Sequence, residues 1–158
     1  LLREAIAGLG SILRGRAASK ASLRTAVTTM QATQNNPLKF ALPDEALTLL
    51  LTNSHPGYID AVEAVREGCS ALIHHDLALT AGIQAAVSAL LERFDPQQVA
   101  KPYAEGIVLQ RKAKCWDAYS QTYKKVVAEA LEDFFGDAFV RAYEEQLGKL
   151  RSQDHKSA

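Results

Sequence analysis

The stretch GYIDAVEAVREGCSALIHHDLALTAGIQAAVSALLERF, Gly57 to Phe94, decides the fold. Val62, Val65, Cys69, Leu72, Leu79, Ile83, Val87, Leu90 and Phe94 recur at steps of mostly three or four, the period of one helix face. Ile59, Ile73, Leu77 and Leu91 make a second row beside it, so the apolar stripe is broad and predicts one long core helix over 57–94. At 1.5 Å per residue such a helix would run roughly 55 Å. Pro56 stands before its start, and Asp95-Pro96 ends it, because proline disfavours α geometry in the residue it follows. Asp76 breaks the stripe, and a buried acid there needs a partner.

The totals bound what surrounds this helix. At 158 residues, with 47% hydrophobic and 23% charged, the chain suits one helical domain over 1–150, with a polar, frayed tail at 151–158. Lys plus Arg equals Asp plus Glu at 18 each, so no global field favours nucleic acid or anionic lipid. Charged residues or histidine interrupt every apolar run, which argues against a membrane span, and no secretory leader is evident. Cys69 and Cys115 lie inside helical patterns and read as buried, reduced thiols. The chain opens on Leu1-Leu2 and has its one Met at position 30, which reads as part of a longer polypeptide.

Working outward, residues 1–24 form an amphipathic helix with Leu2, Ile6, Leu9 and Leu13 on one face. Arg3, Arg14, Arg16 and Lys20 form a solvated basic face opposite. The β-branched run from Thr25 and the polar segment after it predict an extended connector, ending in Asn35-Asn36-Pro37-Leu38-Lys39-Phe40. That hexapeptide reads as a structural turn, because its amides can bond their own backbone; a recognition loop is the alternative. Pro43-Asp44-Glu45 opens a short helix to about Thr52. Asp95-Pro96-Gln97-Gln98-Val99 reads as one capped turn, and 101–110 as a loop. A last helical region over 111–150 carries Trp116, Tyr119 and Tyr123 as core and breaks at Gly136-Asp137. The fold class is therefore all-α: long antiparallel helices, a short extra helix and an extended connector.

Chemistry is hard to find. His74 and His75 are adjacent, so their rings point about 100° apart on a helix and cannot share one metal from the same face. No ligand set, cofactor motif, glycine-rich phosphate loop or activated cysteine is present, so no catalytic, cofactor or metal residues are assigned. Arg111-Lys112-Ala113-Lys114-Cys115-Trp116 places cations beside an aromatic, but one short patch on a neutral chain reads as a helix start with a core tryptophan rather than a nucleic-acid site.

Several stretches taken together resemble a known family. These are Thr28-Thr29-Met30 through Phe40, His55-Pro56-Gly57-Tyr58, Leu90 through Pro96, Arg111 through Trp116, and Phe135-Gly136-Asp137-Ala138-Phe139 through Gln146. In this order they are similar to the C-terminal domain of the FHA-domain protein of bacterial type VI secretion systems (the TagH or ImpI type). The resemblance implies a cytoplasmic, non-enzymatic scaffold, with a peripheral place at the inner-membrane face as a further expectation. It also implies contacts with other secretion components. The phosphothreonine-binding FHA domain of such proteins is all-β and has no counterpart here, so phosphopeptide binding is not carried over. Partner contacts are expected at Arg14, Arg16, Lys112, Lys114, Lys124 and Lys125. The alternative is a ligand- or metal-binding helical domain, or an enzyme, using His74, His75 and Asp76.

Overall fold

A computed structural model describes residues 1–25, 29–52, 56–103, 108–132 and 135–157, and among them the chain is all-α with no strand. The helices are α1 (Leu2–Ser22), α2 (Pro37–Phe40), α3 (Pro43–Thr52), α4 (Ala61–Glu92), α5 (Pro96–Ala100), α6 (Val108–Glu132) and α7 (Asp137–Ser157). A 3-10 turn, Lys101–Tyr103, follows α5. The long helix thus starts four residues later than its periodicity suggests, and α7 continues through the polar stretch after Arg151 that was expected to fray. Contacts divide the chain into two compact units, residues 1–78 with 144–158, and residues 79–143.

In the first unit, Ile6, Leu13, Leu38, Ala41, Ala46, Leu50 and Ala64 form the core. α1 packs on α2 and α3. Arg3 adds an exposed fork to Asp44 at 2.8 and 2.9 Å, a contact worth well under about 1 kcal/mol in water. α1 ends at Arg24 in the left-handed region (φ 55°). The Thr25 N–H reaches the Lys20 carbonyl at 3.1 Å and the Arg24 N–H reaches that of Ala21 at 3.2 Å, which satisfies the last carbonyls of the helix.

The asparagine-proline hexapeptide is a clasp built around a helical turn rather than an extended strand. Asn36 caps α2, its Oδ1 accepting from the Leu38 N–H at 3.0 Å, and Pro37 takes the first helical position, where no N–H is needed. The Asn36 Nδ2 donates to the Ala64 carbonyl at 2.8 Å and to the Glu67 carboxylate. Asn35 turns the other way. Its side chain exchanges bonds with the Gln31 N–H and C=O and also donates to the Gly57 carbonyl, while its backbone forms a parallel bridge to Tyr58. Both asparagines are buried, and these bonds meet the needs of their polar atoms.

α4 corrects the reading of the long stripe. Val62, Val65, Cys69, Ile73 and Leu77 are exposed, as are Ile83, Val87 and Leu91 farther along. In the first unit the buried positions of α4 are Ala64, Gly68, His74, His75 and Ala78. Gly68 shows why: a Cβ there would stand 3.2 Å from Leu13 and 3.7 Å from Leu38. Small side chains bring neighbouring elements close, and most of the larger apolar ones face outward, with Leu72 half-buried against the core.

In the second unit, Gly82 and Ala86 are the buried α4 positions, with Val126, Phe139 and Tyr143. Phe139 stacks on Tyr143 (5.9 Å between centroids) and meets Phe135 edge-on at 4.8 Å. Arg93 donates to Glu129 at 2.7 Å and holds that carboxyl below its usual range. Asp95 caps α5 by accepting from the Gln97 N–H at 2.8 Å.

Among the described residues, by length and composition alone, one helical stretch, Ala61–Tyr103, reaches what a membrane crossing needs, with a mean hydropathy of 1.2 in its most apolar window. The interruptions that argued against a span are fewer there, since Asp76 is the one Asp, Glu, Lys or Arg between Cys69 and Leu91. Core helices pass the same test.

Candidate functional site

The histidine pair divides. His75 is buried near Arg16 and Lys20, and its pKa is lowered, first by burial and then by the Arg16 charge. His74 faces a cleft of about 840 Å³ in the first unit, where Arg16, Lys39, Arg66 and Arg151 are interspersed with carboxylates including Glu67 and Asp154. Lys39 pairs with Glu67. Ser70, His74 and Asp154 also come together: the Ser70 hydroxyl donates to Asp154 at 2.6 Å, and His74 Nε2 lies 3.4 Å from each of them. A base that activates a serine stands between hydroxyl and acid, using both ring nitrogens. Here hydroxyl and acid approach the same nitrogen, and the hydroxyl proton already points at the carboxylate. The trio is arranged as a helix-to-helix tie. Asp76 is exposed, and no group of three or more His, Cys, Asp or Glu fit to hold a metal occurs among the described residues. His55 lies outside them. Cys69 is exposed and Cys115 half-buried, contrary to the expected burial, and neither is in a disulfide.

The basic positions also divide. Arg14 is exposed as expected, whereas Arg16 (7% exposed) and Lys20 (2%) are buried. The periodicity explains this, since Ile6, Gly10, Leu13, Arg16 and Lys20 follow one face of α1. Reading by charge put the last two on the wrong side. Burial lowers the Lys20 pKa, with Arg16 adding to the effect and Glu144 opposing it. On α6, Lys112, Lys114, Lys124 and Lys125 are all exposed. Between Val108 and Lys125 the sequence carries five cations (Arg111 and these four) and one carboxylate, Asp117. In the hexapeptide, Asn35, Asn36, Pro37 and Leu38 are buried, and Lys39 and Phe40 half-buried.

Residue-type reasoning missed one feature. Trp116, expected in the core, is 67% exposed. It borders a groove of about 440 Å³ between α5 and α6, lined by Pro96, Val99, Lys112, Cys115 and Tyr119. The Trp116 ring stacks on Tyr119 (6.0 Å, 22°), and Phe94 packs at 6.0 Å on both Tyr119 and Tyr123. Its signal in the sequence was the spacing of 112, 115, 116 and 119 beside Pro96, which marks a helix face without saying what covers it.

The family described as the C-terminal domain of the Type VI secretion system FHA protein matches residues 1–146. No curated protein and no solved structure matches the chain. The match takes in the clasp, α4, the groove and the first half of α7, and agrees with the resemblance carried by the asparagine-proline and Phe-to-Gln segments. The chain belongs to the family of type VI secretion FHA-protein C-terminal domains.

Proposed function

We propose that this chain is a non-catalytic interaction domain, cytoplasmic in place, that helps assemble or regulate the secretion apparatus by contacting its other components. The observation that carries this reading is the character of the exposed surface in a chain of this family: four lysines on α6 and a row of large apolar side chains, with the polar atoms of the most family-like hexapeptide turned inward. Exposed cations steer an acidic partner and set register while adding little to folding. Arg14 offers a second, smaller basic point; Arg16 is too buried to serve as a rim contact.

The test is charge reversal in cells carrying the secretion cluster. Lys124→Glu with Lys125→Glu is expected to weaken co-purification with the other components and to lower secretion, with an unchanged melting temperature. Arg14→Glu should do so more weakly. Parental recruitment and secretion in both variants would place the function elsewhere.

A further inference from the structure

The groove between α5 and α6 has the features of a docking site, and its surroundings point to one kind of occupant. Its walls are Pro96, Val99, Cys115, Trp116 and Tyr119, all able to meet an apolar side chain. Tryptophan and tyrosine dominate binding hot spots because they offer large area for little conformational freedom. The Trp116 ring is already braced by Tyr119, which Phe94 supports in turn, so little ordering is left for a partner to impose. Lys112 stands at the groove itself, and Lys101 is exposed on the 3-10 turn that packs on α5 and α6. Asp117 is the one acid in the 108–125 stretch. Pro96 and Val99 of α5 and Trp116 of α6 share the groove.

We propose that this groove captures an acidic segment of a partner protein, an apolar side chain filling the space beside Trp116 while carboxylates meet Lys101 and Lys112. The proposal deepens the interaction-domain reading and rests on it.

Trp116 is the single tryptophan, so its emission reports on the groove alone. The purified chain is titrated with three probes: a synthetic Glu-rich peptide with one Phe anchor, the same peptide with Lys in place of every Glu, and phosphatidylglycerol vesicles. A saturable blue shift with the Glu-rich peptide is expected, weakened roughly tenfold by Lys112→Glu or by high salt. No shift with that peptide, an equal shift with the Lys-rich one, a shift with vesicles alone, or a shift that follows protein concentration without peptide would each overturn it. In cells, Trp116→Ser is expected to lose recruitment while melting like the parent. Should Trp116→Ser recruit normally while the Lys124→Glu, Lys125→Glu variant does not, the groove is wrong and the interaction domain stands. Should both recruit normally, the broader reading falls as well.

Discussion

At Asn36 one carboxamide meets three partners: it caps α2 through its oxygen and ties α4 through its nitrogen to the Ala64 carbonyl and the Glu67 carboxylate. Removing it leaves a buried N–H and a buried carbonyl without their bonds, at a cost of about 1–3 kcal/mol. Asn36→Ala should therefore lower the unfolding free energy read from urea melts by that amount and leave recruitment of the folded protein intact. Asn36→Asp separates the two ends of the amide. It keeps the cap acceptor, removes the donor, and sets a second carboxylate against Glu67, so it should be at least as damaging as alanine. If either variant unfolds at the parental midpoint while recruitment fails, the hexapeptide recognises a partner and its inward bonds are incidental. The inward orientation of these side chains was legible beforehand, because two amides before a proline must satisfy a local backbone. Their distant partners, 28 and 31 positions away, were not.

Among the elements, α4 shows where reading by periodicity succeeds and where it fails. The three-and-four spacing locates the helix to within a few residues, as it does for α1, α3 and α7. It picks the wrong face because it ranks residues by apolar size, while the buried positions are the small residues Ala64, Gly68, Ala78, Gly82 and Ala86 together with His74 and His75. Trp116 escaped for the same reason: size suggested burial, and only a tertiary arrangement shows that it is left exposed. Gly82 gives the sharpest test. A Cβ there would fall 2.5 Å from Phe139 Cε2, and that ring is held by Phe135 and Tyr143. The gain in helix propensity from Gly82→Ala, about 1 kcal/mol, should be outweighed by overpacking of about 1–3 kcal/mol. Gly15, with nothing within 4 Å of its added Cβ, lacks the opposing term, so Gly15→Ala should raise stability by up to about 1 kcal/mol. Thermal melts of the pair should move in opposite directions; two upward shifts would show that Phe139 yields.

For the whole molecule, equal numbers of acids and bases set the net charge near zero at pH 7, and the pH dependence of stability follows the groups whose pKa shifts on folding. His75 is the clearest. Its folded-state pKa is lowered from 6.5, by burial first and the Arg16 charge next, with Asp76 opposing and Lys20 adding. Below pH 6.5 the unfolded chain takes up a proton that the folded chain refuses. Stability should thus be fully present above pH 6.5 and decline as pH falls toward the folded pKa, by at most about 1.4 kcal/mol per unit. His75→Gln should flatten that part of a pH series of urea melts, and an unchanged slope would assign the effect to other groups. Function was legible only through the family resemblance, since no motif in the chain specifies chemistry and a docking surface depends on which side chains tertiary packing leaves uncovered.

The first unit takes residues 1–78 from one end of the chain and 144–158 from the other. Ser70 and Asp154, which are hydrogen-bonded, lie 84 positions apart. A ribosome making this chain therefore releases α1, α2, α3 and the start of α4 well before Leu147 and Asp154 exist. Closing so long a loop carries an entropic cost that grows with the logarithm of its length, so the early helices wait with part of their surface wet. Residues 79–143, contiguous in sequence, face no such wait. Synthesis order and assembly order thus diverge: the unit begun first is the one finished last.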